Sequence, residues 1–287
     1  MPELPEAEVV ARHIRSRLSG AVLTDVWLGR DDIVREGIKT LPWFRGARLS
    51  TVDRYGKSVA MGFVQKGETR FVVAELGMTG LLLFRSVEAK HPQHVHVRMS
   101  FSGADEPELC YWNPRRFGRL SLLDREGLER YISRRFGLDP LKASWEEYRS
   151  FVMKCRGRIK ALLMHQQSIA GIGNIYANEI LFRAGLHPDA RASRLSVHAV
   201  KQLYDLSQEI LHEAIACGGS SVRDFFAPDG TEGTYKQRHL VYGKEGVPCP
   251  NLCGQRIKRL RRERSSFICP FCQTKRRRTN ADQRVIL

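Results

Sequence analysis

The sequence has no long apolar runs and is short of acidic residues. Nowhere along its 287 residues is an apolar stretch long enough to cross a bilayer. The first twenty residues carry acids and prolines where a secretion signal would need an apolar core. These absences argue against a membrane protein or a secreted one, and we expect a cytoplasmic chain.

The shortage of negative charge indicates the kind of partner. Only 31 acidic residues stand against 47 basic ones, which gives a formal charge of +16 and a pI near 9.9. A mixed, solvated surface does not need that excess, so we expect a polyanionic partner, most commonly a nucleic acid. A ribosomal or membrane-surface role would fit the charge equally well. The 42% of hydrophobic residues is normal for a globular protein, and the length allows about two sizeable cores.

Cysteines are also few, and their spacing is uneven. Cys110, Cys155 and Cys217 are isolated, which argues against a disulfide framework. The remaining four form the pairs CPNLC and CPFC, separated by fifteen residues, in a stretch rich in lysine and arginine. Two close pairs at this separation predict a tetrahedral zinc site on a basic β-hairpin that contacts phosphates. Four unrelated thiols are the alternative. The predicted ligands are Cys249, Cys253, Cys269 and Cys272.

The order of patterns predicts how the chain is organised. Short β-rich segments fill residues 22–123, which suggests a sandwich or a barrel. Residues 137–144 look like a linker, and the pair Ser144 and Glu147 predicts a capping box before a helix. Further helices are predicted at 158–167, at 174–185 and from about 196 to 217. We predict domains at 1–136, 137–235 and 236–287.

The opening segment MPELPEAEVV admits two interpretations. Pro5 and Glu6 suit the first turn of an amphipathic helix, which accounts for the segment as structure alone. Removal of Met1 would instead leave Pro2 with a free secondary amine. An α-amino group titrates near ~8, so much of it is nucleophilic at neutral pH and can form a Schiff base with a sugar aldehyde. Glu3 beside it could move protons.

Two further motifs suit nucleic-acid binding. SIAGIG followed by Asn174 places a helix N-terminus behind a glycine-rich turn, where backbone N–H groups bind anions, and Lys160 adds a cation. Glycines that serve only helix packing are the alternative. In NPRRFG, an arginine that donates to a base edge stands beside a ring that can wedge a base step. A plain β-turn with a surface arginine pair is the alternative here.

Taken in order, these motifs resemble one family. The segments MPELPEAE, GK at 56–57, LGMTG, PRRFG, IAGIGNIYANEILF, GGSSVRDF and CPFCQ occur in the same order in the bacterial formamidopyrimidine-DNA glycosylase family. This family shares a fold with endonuclease VIII, and the resemblance runs from residue 1 to about 278. It implies an α+β fold, with an N-terminal helix and β-sandwich, a helix-two-turn-helix domain and a C-terminal zinc β-hairpin.

The resemblance also implies residue roles. Pro2 would attack C1′ of a damaged nucleotide, Glu3 would act as general acid and base, Glu6 would support the site, and Lys57 would contact a phosphate and assist catalysis. Met78, Arg115 and Phe117 would fill the gap left by an extruded base. Lys160, Asn174 and Arg264 would grip phosphates. A flexible loop would close on the flipped base, and it comprises Gly218, Gly219, Ser220, Ser221, Val222, Arg223, Asp224 and Phe225.

The implied function is that of a bifunctional DNA glycosylase and AP lyase that excises oxidised purines. Its partner would be damaged double-stranded DNA, its cofactor one structural Zn²⁺, and its state a monomer in the cytoplasm, associated with the nucleoid. Two alternatives remain. One is an endonuclease VIII-like preference for oxidised pyrimidines, against which PELPE and GGSSVRDF argue. The other is a non-catalytic nucleic-acid-binding protein, against which Pro2, Glu3 and Lys57 argue.

Three departures from the family pattern stand out. Glu75 occupies a position where histidine is frequent, and a carboxylate there would repel phosphate, so one backbone contact is expected to change. Asn113 stands where aspartate is usual. The first cysteine pair has one residue more than usual and the stretch after it one fewer, so the metal-binding turn is expected to differ in geometry while keeping four ligands.

Overall fold

The computed structural model describes residues 2–85, 87, 92–222 and 225–274. The chain divides into two compact units. The first comprises Met1–Phe136 and Ala214–Lys236, and the second comprises Gly137–Glu213 and Gln237–Leu287. The three domain ranges expected from the sequence stay a prediction. Within the described residues, no helix is both long and apolar enough to span a membrane.

The first unit is a β-sandwich with two helices. The helices are α1 (Leu4–Leu18) and α2 (Arg125–Arg135). Short 3₁₀ turns cover Asp31–Ile33, Ile38–Phe44 and Pro92–His94, and a further one, Tyr235–Arg238, has its first two residues in this unit. The strands are β1 (Val22–Leu28), β2 (Val34–Glu36), β3 (Arg48–Tyr55), β4 (Ser58–Gln65), β5 (Glu68–Glu75), β6 (Leu81–Phe84), β7 (Val95–Ser102), β8 (Glu108–Trp112) and β9 (Leu120–Asp124).

These strands are hydrogen-bonded in the order β2-β9-β5-β4-β3-β1-β7-β8-β6. Only β2 and β9 run parallel among these described pairs, and β1 meets β3 at the single register pair Val22↔Arg48. The sandwich core is apolar and includes fully buried residues of α1, β3 and β8. The first unit therefore packs helix α1, near the start of the chain, against the core of the sandwich.

Helix α1 forms for the reasons readable in its sequence. Pro5 stands in the first turn, where its missing N–H is not needed. Ala7, Val10, Ile14 and Leu18 recur at helical spacing and are fully buried. Glu3 is the N-cap residue, so the helix fixes the position of the acidic start of the chain.

Helix α2 was not anticipated from the sequence. It begins after Asp124, whose carboxylate accepts the Gly127 N–H at 2.7 Å. Leu128 and Tyr131 pack beneath it on the sheet. The N-cap signal was present in the sequence, but the preceding β-rich pattern obscured it.

The second unit is helical with a C-terminal hairpin. Its helices are α3 (Trp145–Lys154), α4 (Ile159–Met164), α5 (Asn174–Arg183) and α6 (Val197–Ala216), and its hairpin strands are β10 (Lys258–Leu260) and β11 (Ser266–Ile268). The last residues of α6 are grouped with the first unit. The capping box predicted for α3 is present, since Ser144 N–H donates to Glu147 Oε2 at 2.9 Å and Glu147 N–H donates to Ser144 Oγ.

The segment interpreted as a linker, residues 137–144, is an integral part of the second unit. Leu138 forms a parallel bridge with Ile169, and a Cβ on Gly137 would lie 2.3 Å from the Gln167 carbonyl oxygen. Gly137 allows close packing against the turn after α4, and the Pro140 carbonyl accepts a hydrogen bond from Gln208. The α+β class predicted from the sequence is confirmed, together with its N-terminal helix and sandwich, helical region and C-terminal hairpin.

Candidate active site and nucleic-acid interface

The N-terminus of α1 brings two predicted catalytic carboxylates and the proline together. Pro2 is buried directly before the helix, and Glu3 and Glu6 are each only 1% exposed. Glu6 Oε2 accepts the backbone N–H of Glu3 at 2.7 Å, and its Oε1 accepts the N–H of Ser220 at 2.7 Å. The Glu6 carboxylate therefore joins the start of α1 to a loop more than two hundred residues away in sequence.

That loop is the segment predicted to close on a flipped base. Gly219 has φ +84°, and a Cβ on it would lie 2.9 Å from Glu6 Oε1, so both the turn and the close approach require glycine here. Ser221 Oγ donates to the Phe225 carbonyl at 2.7 Å, and the Phe225 ring is buried in the sandwich core. Arg223 and Asp224 lie outside the described residues. The start of the loop is thus held beside the N-terminal site, and its end is held by the sandwich core.

Lys57 lies in the tight turn between β3 and β4. Gly56 has φ +56°, and a Cβ on it would lie 2.5 Å from the Phe136 ring. The buried guanidinium of Arg54 donates to the Gly56 carbonyl at 3.4 Å and to Glu8 Oε2 at 3.0 Å. Burial raises the pKa of Glu8, but Arg12 and Arg54 outweigh it and hold the pKa below its usual value. Arg54 was missed in the sequence, and it ties the Lys57 turn to α1.

The predicted wedge residues lie on two loops that touch. Gly77 packs against the backbone of the second loop, where its Cβ would lie 2.5 Å from the Gly118 nitrogen. Met78, half-buried, follows Gly77 directly, and Phe117, 55% exposed, precedes Gly118. The Arg115 guanidinium lies 4.9 Å from the centre of the Phe117 ring. The structure thus brings the two wedge loops together and leaves a ring and an arginine at the surface.

Asn113, the unusual residue in this motif, is fully buried. Its Nδ2 donates to the Tyr111 hydroxyl at 3.0 Å and to the Gly118 carbonyl at 3.2 Å, while its Oδ1 accepts the Arg116 N–H at 3.0 Å. Its Oδ1 also accepts the Thr79 hydroxyl at 3.4 Å, so one amide serves two acceptors and two donors and stabilises the turn that carries Phe117.

In the second unit, the helix–turn–helix is organised by a glutamine that sequence reasoning passed over. Gln166 Oε1 accepts the Gly171 N–H at 2.9 Å, and its Nε2 donates to the carbonyls of Met164 and Ile172. This places Asn174 as the first residue of α5, behind the glycine turn, as the motif predicted.

Lys160 and Arg264 occupy different environments. Lys160 is only 6% exposed, and its ammonium donates to the Ser265 carbonyl at 2.8 Å and to Ser266 Oγ at 2.9 Å. It braces the loop of the C-terminal hairpin against α4. Arg264 is exposed on that loop. Their contacts to phosphate stay predictions, and the bracing by Lys160 is an additional, structural role.

Helix α5 holds the hairpin through two buried polar residues that the sequence analysis missed. Asn178 Oδ1 accepts the Phe267 N–H at 2.7 Å. Glu179 accepts three successive backbone N–H groups, from Leu240, Val241 and Tyr242, at 2.8–3.0 Å. Burial raises the pKa of Glu179, and these three bonds act against that rise. The carboxylate is therefore an anchor for the segment that leads to the cysteines.

Replacing Glu179 with glutamine tests this anchor. The amide offers one oxygen and turns an NH₂ towards backbone donors, so we expect the second unit to lose about 2–4 kcal/mol of stability. Denaturant titration measures the loss. Glu209→Gln is the matched control, because Glu209 is 55% exposed and forms a surface ion pair with Arg183, worth less than about 1 kcal/mol. Equal effects of the two variants would contradict the anchor.

The four clustered cysteines form a candidate metal centre. Their sulfur atoms all lie within 4.8 Å of one another, with Cys249–Cys272 at 3.7 Å and Cys253–Cys269 at 3.4 Å. Tetrahedral thiolates at a Zn–S distance of about 2.3 Å would stand about 3.8 Å apart, so the donor set fits zinc. All four cysteines are free of disulfides.

The additional residue in the first cysteine pair is absorbed by a strained turn. Leu252 has φ +53° and is 91% exposed, while its N–H donates to the Cys249 carbonyl at 3.0 Å. The expected difference from the family's turn geometry stays a prediction. The four sulfurs still converge.

This arrangement defines a class of protein: an enzyme built on a β-sandwich, with a helix–turn–helix unit that carries a four-cysteine hairpin. Comparison with known proteins gives the family. Residues 1–120 match the formamidopyrimidine-DNA glycosylase N-terminal domain, and residues 136–226 match the formamidopyrimidine-DNA glycosylase H2TH domain. The chain belongs to the formamidopyrimidine-DNA glycosylase family, which is a family of DNA repair enzymes.

Individual relatives agree along nearly the whole chain. The formamidopyrimidine-DNA glycosylases of Solibacter usitatus and Heliobacterium modesticaldum are 37% and 36% identical, covering 95% of this chain and 99% and 100% of theirs. The crystal structure of MutM (Fpg) from Thermus thermophilus is 36% identical, with a TM-score of 0.81 over 95% of this chain and 98% of that one. A variant of the Lactococcus lactis protein, crystallised with Fapy-dG containing DNA, is 29% identical, with a TM-score of 0.85 over 96% and 100%.

Proposed function

We propose that this protein is a bifunctional DNA glycosylase and AP lyase that excises oxidised purines, 8-oxoguanine and formamidopyrimidines, from duplex DNA. The observation that carries the proposal is the buried N-terminus of α1, where Pro2 stands directly before Glu3 and Glu6 is held in place by two backbone N–H groups. Glu3 and Glu6 form the capping box of α1, which accounts for the start of the helix but not for the buried proline ahead of it or for the bond from Ser220. An amine beside carboxylates is what Schiff-base chemistry on a sugar requires.

The proposed reaction uses the amine of Pro2 after removal of Met1. The nitrogen attacks C1′, the glycosidic bond breaks, and the damaged base leaves with a proton. Glu3 moves protons as the sugar ring opens to the Schiff base. Because the proline amine is secondary, the Schiff base is an iminium ion, which makes the C2′ proton acidic; loss of that proton expels the 3′ phosphate, and loss of a C4′ proton then expels the 5′ phosphate. Glu6 acts through position, because its carboxylate fixes both the Glu3 backbone and Ser220.

DNA binding is proposed to rest on basic residues of both units. Lys57 contacts the phosphate at the lesion, and Lys160, Asn174 and Arg264 contact phosphates of the surrounding backbone. A net charge of +16 supports a binding energy dominated by phosphates. Crystal structures of the Lactococcus lactis relative contain DNA with an abasic site or with Fapy-dG, which supports damaged duplex DNA as the partner. We propose a monomer that acts on chromosomal DNA.

One structural Zn²⁺ is proposed at Cys249, Cys253, Cys269 and Cys272. Bound there, the metal would cross-link the two turns that frame the basic hairpin and would take no part in the sugar chemistry. The sulfur separations support this assignment.

The test compares two lesions in one assay. We expect cleavage of a duplex that carries 8-oxoguanine and much slower cleavage of one that carries thymine glycol. A clear preference for thymine glycol would establish the endonuclease VIII-like alternative. Binding without cleavage of either substrate would leave a non-catalytic DNA-binding protein.

Replacing Arg115 with alanine tests the wedge. A base must leave the stack to be reached, at a cost of a few kcal/mol, and an arginine beside the exposed Phe117 ring suits the gap. We expect cleavage of paired 8-oxoguanine to fall about 10- to 100-fold, and cleavage of a single-stranded abasic site to change little. Arg116→Ala is the control, since Arg116 faces Asp32 at 3.8 Å. Equal losses on both substrates would assign Arg115 to the fold or to the chemistry.

A further inference from the structure

Glu75 lies beside the turn that carries Lys57. It is the last residue of β5 and pairs directly with Ser58, the first residue of β4, across the antiparallel ladder. Neighbouring strands are about 5 Å apart, so the backbone of Glu75 lies next to the residue that directly follows Lys57. A lone carboxylate at that distance would repel a phosphate held by the lysine.

The carboxylate is not alone, because two arginines from different elements bind it. Arg35 of β2 donates to Glu75 Oε1, and the guanidinium of Arg135 in α2 forms an ion pair with the same oxygen at 3.0 Å. The Glu75 side chain is only 15% exposed, whereas the arginine side chains are 40% and 39% exposed. The cluster therefore buries its negative charge and presents its positive charges to solvent, with a net charge of +1.

The cluster is built on a buried support. The Arg135 guanidinium lies 4.7 Å from the centre of the Tyr131 ring, and the Tyr131 hydroxyl is 3.0 Å from Ser58 Oγ. The Tyr111 hydroxyl donates to the Glu75 carbonyl at 2.6 Å. Each guanidinium has five N–H donors, and among the described residues the only carboxylate that either guanidinium pairs with is Glu75. Most of their donors are thus available, in a fixed orientation.

We propose that Arg35 and Arg135, oriented by Glu75, form a second backbone-phosphate site next to that of Lys57. A fork of guanidinium donors is suited to a phosphate, and holding two such forks by one carboxylate lowers the entropy lost on binding. Glu75 is then a positioning residue that supports binding of the polyanion. This inference rests on the proposed function in one respect: it takes Lys57 as the neighbouring phosphate contact.

Whether Glu75→Gln tightens or weakens DNA binding tests the proposed phosphate site. Glu75→Gln removes a negative charge, which by charge alone should tighten DNA binding and steepen its dependence on salt. If Glu75 positions the arginines, the same change should weaken binding about 3- to 10-fold. The measurement is fluorescence anisotropy with a duplex that carries a tetrahydrofuran abasic analogue, at several salt concentrations between 50 and 200 mM.

The arginines provide the second readout. Arg35→Ala and Arg135→Ala should each make the negative slope of log K against log salt shallower by about 0.9, because one phosphate contact is lost. Arg130→Ala is the matched control, because Arg130 lies on the same helix and pairs with Glu126 at 2.7 Å, and it should leave the slope unchanged. Tighter binding by Glu75→Gln, or unchanged slopes in both arginine variants, would overturn the proposal.

Folding and chemistry are checked separately. If Glu75→Gln does not fold, the salt dependence of Arg35→Ala tests the phosphate site by itself. Arg35 is on the edge strand β2 and its side chain is 40% exposed, so its replacement should leave the fold intact. Borohydride trapping on a single-stranded abasic oligonucleotide reports the Pro2 chemistry. A wild-type protein that binds the duplex but traps nothing would overturn the proposed function, while the affinity data would still judge the phosphate site.

Discussion

A chain whose Pro2 nitrogen stays in an amide bond will form no borohydride-stable complex with abasic DNA. The lone pair of an amide nitrogen is delocalised into the carbonyl, so it cannot attack C1′. A chain processed to a free Pro2 amine, which titrates near ~8, should cross-link readily at neutral pH. We expect an uncleaved N-terminal extension to lower trapping by at least about 100-fold. Intact mass establishes which chain is present, and denaturing gels measure the covalent complex.

Peptide mapping then locates the adduct. Trypsin releases residues 2–12 as one peptide, separate from the peptide that contains Lys57. The added mass should lie on the first of these. Glu3→Gln is the companion variant: it keeps the amine, so it should still trap a preformed abasic site, while excision of 8-oxoguanine slows by about 10²- to 10⁴-fold. An adduct on Lys57 with Pro2 unmodified would contradict the assignment of the nucleophile.

Features set by local rules could be predicted from the sequence. The capping box of α3 needs only two residues three positions apart, and the glycines after α6, Gly218 and Gly219, adopt the left-handed conformation that ends a helix. The cysteine spacing likewise fixed which four sulfurs would converge. In each case the physical cause lies within a few residues of the signal.

Polar residues that act over long sequence separations could not be predicted. Asn178 and Glu179 lie within an ordinary helical pattern. Their side-chain oxygens nevertheless accept hydrogen bonds from backbone N–H groups up to 89 positions away. Arg54 lies in a strand pattern, and its buried guanidinium is paired with Glu8. No periodicity reveals which backbone N–H a side chain will meet, because that depends on tertiary packing.

Glu75 illustrates a related limit. From sequence, a carboxylate near a phosphate site indicates a lost contact. The arginines that alter this interpretation come from β2 and from α2, forty and sixty residues away along the chain. Helix α2 itself was not anticipated, so Arg135 could not have been assigned to the cluster. The net charge around Glu75 therefore depends on residues of distant helices and strands, and only the folded structure shows which of them meet.

The second large effect is expected from loss of the metal. One zinc per chain should be found by elemental analysis, and its removal should abolish DNA binding. The cysteines are part of a small buried cluster with Phe182 of α5 and Phe267 of β11, so the apolar core around the hairpin is small and the metal is expected to supply much of its stability beside the α5 hydrogen bonds. Without the metal, the loop that carries Arg264 and accepts the Lys160 ammonium would lose its position.

Two cysteine variants separate metal binding from general damage. Cys253→Ser removes one ligand and should lower both zinc content and duplex affinity, the latter by at least about 100-fold. Cys155→Ser changes an isolated cysteine at the end of α3 and should preserve both. The sandwich should remain folded in either variant, because its core contains none of the ligands. Tryptophan fluorescence monitors this, since Trp27, Trp43 and Trp112 belong to the first unit. Active protein without zinc would refute the structural role of the metal.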